Sequence, residues 1–160
     1  MKNKIPYNLF LNKITAYKPG KSGNKKIKKK IIKMSSNESP LSFDGLLKSK
    51  IQNVTLNFNR YPDPNCSSLR ESISKKYKIK SKNIIFGNGS DEIFFLISYA
   101  FLEKGLQAIY SKYGFLIYPI AIKATGAKAV YANEIGYKAS VENILKKCNS
   151  KTRICFIANP

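Results

Sequence analysis

Residues 84–101 read IIFGNGSDEIFFLISYAF. A short apolar run ends in Gly87-Asn88-Gly89-Ser90-Asp91, and a helix-like spacing of apolar residues follows at once. Gly87 and Gly89 admit a tight turn, with positive φ open to them. A helix that begins at Gly89 or Ser90 presents first-turn N–H groups without intrahelical partners, and its dipole favours an anion there. Phosphate binding is one chemistry this turn can do. The other reading is a capped helix start, with Ser90 as the cap and Asp91 and Glu92 set favourably against the dipole. The turn is neither GxGxxG nor a lysine-bearing P-loop, so it signals neither a dinucleotide fingerprint nor a Walker site.

Other chemistries are excluded by what is missing. The 160 residues contain no histidine, so this chain supplies no catalytic imidazole. Cys66, Cys148 and Cys155 form no close pair of the metal-binding kind. No metal site is expected, and the odd cysteine count suits free or buried thiols.

The formal net charge is +20, which raises the question of nucleic acid. Only Arg60, Arg70 and Arg153 among 29 basic residues are arginine, the rest being lysine. Nucleic-acid readers lean on the bidentate, stacking guanidinium. Lysine, asparagine and isoleucine share A/T-rich codons, so base composition can produce such a charge without selection for binding. A basic, non-catalytic nucleic-acid-binding module is therefore the weaker reading. The opening MKNKIPYNLF has no sustained apolar run, and the densest apolar stretch, 93–102, is too short to cross a bilayer. The expectation is a cytoplasmic protein that does not engage a membrane.

Several elements must position the turn. Residues 1–35 read as an arm, with Pro19, Gly20 and Gly23 before a lysine run at 25–30. IIKMSS reads as a short strand entering a polar turn before Pro40. NRYPDPN, 59–65, reads as a stiff extended loop. Leu69, Ile73 and Tyr77 recur every four residues, which predicts an amphipathic helix capped by Ser67 or Ser68. From residue 83 strands and helices alternate. NIIFG, LQAIY, GAKAVYAN and TRICFIAN read as strands. SDEIFFLISYAFLEKG, ended by Gly105, then GFLIYPIAIKAT and SVENILKKC, capped by Ser140, read as helices. Four strands alternating with three helices predict an α/β domain with a largely parallel sheet. The sequence stops at Asn159-Pro160, just past a predicted strand, where site residues of such a sheet gather, and so reads as truncated.

Five stretches then bear on identity together: IKMSSNESPLS, RYPDPNCSSLR, IIFGNGSDEI, YGFLIYPIAIKATGA and TRICFIANP. In this order and spacing they resemble the histidinol-phosphate aminotransferase family of fold-type-I enzymes, which use pyridoxal 5′-phosphate (PLP). The resemblance runs from Tyr17 to Pro160. It implies the amino-terminal part of such an enzyme, with residues 36–160 an incomplete PLP-binding large domain. It implies that Gly89, Ser90 and Asp91 cradle the PLP phosphate. Phe115, counted back from Gly126, matches the residue that stacks on the pyridine ring, with Tyr113 the close alternative; the other possibility is that Phe115 is a core residue of its helix. Tyr61 matches a tyrosine that reaches the phosphate of the neighbouring subunit, which implies a homodimer. Tyr17, Asn37 and Glu38 match residues near the substrate.

The resemblance also implies the reaction of L-histidinol phosphate with 2-oxoglutarate, in histidine biosynthesis. Aromatic amino acid aminotransferases and threonine-phosphate decarboxylases are related alternatives. The family's PLP-anchoring lysine, its pyridine-nitrogen aspartate and its carboxylate-binding arginine all lie beyond the point where this sequence stops. No catalytic residue is therefore assigned, and the 160 residues alone are expected to be inactive. SFDG at 42–45 replaces a more usual glycine-rich continuation, so the 42–58 loop is expected to differ locally.

Overall fold

The computed structural model describes residues 8–17, 39, 41, 45–54 and 59–159. The chain divides into two compact units, one of residues 1–17 and 86–160, the other of residues 18–85.

The first unit is built on a parallel sheet of three strands: β1 (Gln107–Ser111), β2 (Lys128–Ala132) and β3 (Thr152–Phe156). The order is β2-β1-β3, with Ile109 opposite Val130 on one side and Cys155 on the other. Central β1 is buried along almost its whole length, as a strand covered on both faces must be. Among the described residues three α-helices belong to this unit: α3 (Gly89–Phe101), α4 (Ile117–Ala124) and α5 (Val141–Leu145). On one face Ala108 packs with Leu102, Tyr118, Ile122, Ala127 and Phe156. On the other, Ile109 packs with Ala132 and Ile144. The alternation along β1 thus divides the core in two, as a period of two requires. A 3₁₀ turn at Leu9–Lys13 also packs against α4.

The expected strand at 83–87 does not form: residues 84–87 are irregular and Ile85 is exposed. A strand exists through its ladder, and no described strand lies beside this segment to complete one. Three strands, not four, therefore make the described sheet. The helix from the glycine turn ends at Phe101, not at Gly105. Leu102 is already extended, and Gly105 serves the turn that enters β1. Pro119 does not interrupt α4, because it falls in the first turn, where the missing N–H has no acceptor to lose. Ser140 caps α5 as expected, its hydroxyl accepting from the Asn143 N–H at 3.2 Å.

In the second unit α1 (Gly45–Val54) occupies a stretch expected to be loop; Leu47 and Ile51, four apart, give it one apolar edge. Helix α2 (Ser67–Tyr77) forms as its spacing predicts, but neither Ser67 nor Ser68 caps it. Asp63 does, accepting from the Asn65 N–H at 2.9 Å and the Ser67 N–H at 2.7 Å. The Asx-turn of Pro-Asp-Pro-Asn brings that carboxylate back over the helix start, ahead of either hydroxyl. The expected strand-like piece at IIKMSS lies outside the described residues.

Candidate functional site

The two glycines of the turn are needed for different reasons. A Cβ at Gly87 would lie 2.8 Å from Ile93 Cδ1 and 3.0 Å from Glu92 Oε2, so position 87 is closed by the helix that follows. Gly89 has φ +82°, a left-handed conformation that side chains rarely adopt, and open space where a Cβ would point. Between them Asn88, at φ −76° and ψ 67°, makes an inverse γ-turn, and the Gly89 N–H donates to the Gly87 carbonyl at 2.9 Å.

That bond turns the Gly89 amide inward. The first-turn amides of Ser90 and Asp91 remain, and helix geometry gives them no intrahelical acceptor. The side chains of Ser90 and Asp91 are exposed in the same turn. Glu92, also in that turn, folds back instead: its Oε2 accepts from the Asn88 N–H at 2.6 Å and the Asn88 Nδ2 at 3.2 Å. The bare Cα of Gly89, the Ser90 hydroxyl and the open amides suit a phosphate. Ser90 does not cap the helix: Asn88 holds the cap position without a side-chain cap bond, and Glu92 returns to the Asn88 N–H instead.

Phe115 lies in the turn between β1 and α4, before the helix begins. It is not a core residue of that helix. Its ring meets Phe94 of α3 edge-on at 6.2 Å, and Phe94 sits one helical turn beyond Ser90. Phe94 also packs edge-on against Tyr118 at 4.9 Å and Phe156 at 5.7 Å, and those two rings stack at 5.1 Å. Such pairs each contribute about 0.5–1.5 kcal/mol beyond their buried area. This aromatic cluster ties the start of α3, the turn after β1 and the carboxyl end of β3 into one rigid group. Phe115 keeps 38% of its surface exposed, enough to leave part of its ring open. Tyr113 turns the other way. It pairs with Tyr137 at 5.8 Å, its N–H donates to Glu134 Oε1 at 3.2 Å, and Lys112 Nζ lies 5.3 Å from its ring centre. The structure therefore joins Phe115, and not Tyr113, to α3.

Tyr17 is half exposed in the first unit, and Tyr61 is fully exposed in the second. Asn37 and Glu38 lie outside the described residues. Around the Tyr61 loop, the Asp63 carboxyl is held below the usual carboxylate range, chiefly by the Ser67 and Asn65 amides, with Ser67's side chain and the Arg70 charge adding to them. Arg70 then braces the segment: its Nε donates to the Asn65 carbonyl at 3.2 Å and its Nη1 to those of Ser81, at 3.1 Å, and Ile84. A guanidinium fork spans these acceptors where an ammonium would not. The sequence reading missed both this brace and the Glu92 return bond. An acid four residues after Asn88 was the available signal for the second; nothing local announces the first.

Among the described residues no group of histidine, cysteine or acidic side chains could hold a metal. Cys66, Cys148 and Cys155 are free. Burial raises the Cys155 thiol above its usual value, with neighbouring Cys148 adding to the effect, so Cys155 is a weaker nucleophile than an open thiol. No helix among the described residues is long and apolar enough to cross a membrane.

No protein-family model matches the chain. Curated relatives do. A histidinol-phosphate aminotransferase of Pelagibacter ubique is 45% identical over 148 residues, 92% of this chain and 41% of that protein. Histidinol-phosphate aminotransferase 1 of Mannheimia succiniciproducens is 40% identical over 130 residues, 81% of this chain and 36% of that protein. Among solved structures, the histidinol-phosphate aminotransferase of Sinorhizobium meliloti in complex with pyridoxal-5′-phosphate superposes with a TM-score of 0.62 at 18% identity, over 64% of this chain and 28% of that one. The fold of the described residues is thus that of part of a fold-type-I aminotransferase. Over its own length the chain belongs to the histidinol-phosphate aminotransferase family, and it spans about 41% of a member such as the Pelagibacter protein.

Proposed function

We propose that this chain is the cofactor-cradling amino-terminal part of a PLP-dependent aminotransferase acting on L-histidinol phosphate and 2-oxoglutarate. The observation that carries the reading is the joint placement of the Gly87–Asp91 turn at the head of α3 and of Phe115 against Phe94 in the same helix. Ser90, through its hydroxyl, and the amides of Ser90 and Asp91 bind the phosphate, with Gly89 leaving room for its oxygens. Phe115 lies against the pyridine ring and fixes its plane. Tyr61 reaches the phosphate of the partner subunit in a homodimer. Tyr17, Asn37 and Glu38 line the substrate side. Bound PLP supplies the electron sink that makes the bond next to the substrate's amino group labile. The anchoring lysine, the aspartate at the ring nitrogen and the carboxylate-binding arginine come from the rest of the family fold. Residues 1–35 form the arm, residues 36–160 belong to the large domain, and the enzyme works in the cytoplasm.

A chimera tests this reading. The matching segment of the Pelagibacter relative is replaced by this chain, and amino transfer is assayed with histidinol phosphate, an aromatic amino acid and phosphothreonine. Activity on histidinol phosphate, abolished together with PLP retention by Ser90→Glu, is the expected result. A chimera that melts cooperatively and retains PLP yet prefers either other substrate overturns the assignment.

A further inference from the structure

A cleft of ≈ 610 Å³ opens at the amino ends of the strands, away from the turns that carry the cofactor residues. Its walls come from four segments far apart in sequence. These are 10–13, 105–107, 123–129 and 149–151: Lys13 closes the 3₁₀ turn, Lys123 lies in the last turn of α4, Lys128 begins β2 and Lys151 precedes β3. Phe10 lies at the cleft against Gly126, and Asn149 and Ser150 complete its polar side. Arg153 reaches the same edge, its Nη1 donating to the Ser150 carbonyl at 2.8 Å.

Lysine is abundant throughout this chain, so the number of lysines alone decides nothing. What the cleft adds is convergence: Lys13, Lys123, Lys128 and Lys151 line one space, and no carboxylate is among its lining residues. Ion pairs occur elsewhere among the described residues, Lys75 with Glu71 at 2.7 Å and Lys146 with Glu142 at 2.6 Å, both on exposed helices. Among the described residues the four cleft lysines make no ion pair. Ammonium groups are compact charges that grip phosphate oxygens from several directions. Four lysines lining one short, open cleft match a compact, highly charged anion better than a long strand, which needs an extended groove.

We propose that this cleft binds a compact polyphosphate, either free or as the tail of a nucleotide. The proposal stands apart from the cofactor cradle, which lies elsewhere in the same unit.

The isotopically labelled chain is titrated with inorganic tripolyphosphate and followed by amide NMR. Saturable shifts are expected at Lys13, Lys123, Lys128 and Lys151, and not at Ser90 and Asp91, with affinity falling as salt rises. Combined Lys123→Gln, Lys128→Gln and Lys151→Gln substitutions should weaken binding by about tenfold or more, given the usual worth of exposed charge contacts. The matching lysine-to-arginine variant should keep it. ATP shifting the same amides would make a nucleotide the source, whereas tripolyphosphate acting alone would point to free polyphosphate. The proposal is overturned by shifts that never saturate or map to the glycine turn, by unchanged affinity in the glutamine variant, or by tighter binding of a single-stranded oligonucleotide than of tripolyphosphate.

Discussion

The Glu92 carboxylate accepts the Asn88 backbone N–H at 2.6 Å, closing the glycine turn onto the helix it begins. The acid thereby satisfies a donor at the helix start and holds the turn in shape. Replacing Glu92 with Ala should cost about 0.5–2 kcal/mol, the usual range for a lost helix-start cap. Chemical denaturation reads the stability, and faster amide exchange at Asn88 locates the loss. An unchanged midpoint would mean that the bond contributes nothing.

The two glycines should respond differently to alanine. Gly89→Ala forces a side chain into φ +82°, at a cost of about 1–2 kcal/mol. Gly87→Ala meets the far ends of two flexible side chains, Ile93 Cδ1 and Glu92 Oε2, which can swing aside. It should therefore cost less, at the price of the Glu92–Asn88 bond. Denaturation midpoints of the two variants give the order. Gly87→Ala proving the more damaging would show that Ile93 cannot move.

Asp63 makes the start of α2 sensitive to acid. Its folded-state pKa is lowered, so its stabilisation is complete above the ordinary carboxylate range and is lost as pH falls through the lowered value. The Ser67 amide resonance should titrate with a midpoint below that of an ordinary aspartate. Asp63→Asn keeps an acceptor and should remove the titration without fraying the helix. A midpoint at the ordinary value would show that the amide bonds do not hold in solution.

Much of this architecture is legible in the residues. Strands β1, β2 and β3 carry the apolar runs that a covered sheet needs, and Ser140 marks α5. The glycine turn shows itself because Gly89 sits in a left-handed conformation that favours glycine. What the sequence hides is contact across distance. The 83–87 segment has the composition of a strand, but a strand is made by its neighbour. Phe115 looks like part of α4 because its apolar spacing continues that of the helix, and only its contacts with Phe94 and Tyr118 show which way its ring faces. Arg70 is one basic residue among many until its fork is seen to gather the carbonyls of Asn65, Ser81 and Ile84.

The central claim is that the head of α3 holds the cofactor's phosphate, and one titration tests it directly. Pyridoxine 5′-phosphate carries the phosphate and ring of PLP without the aldehyde, so it cannot condense with the chain's many lysines. Added to the labelled chain, it should shift the amides of Ser90 and Asp91 and the ring resonances of Phe115. Pyridoxine, lacking the phosphate, should leave those two amides unmoved, and Ser90→Glu should abolish their response. Equal shifts from both compounds, or a response confined to the lysine-lined cleft while Ser90 and Asp91 stay still, would contradict the claim.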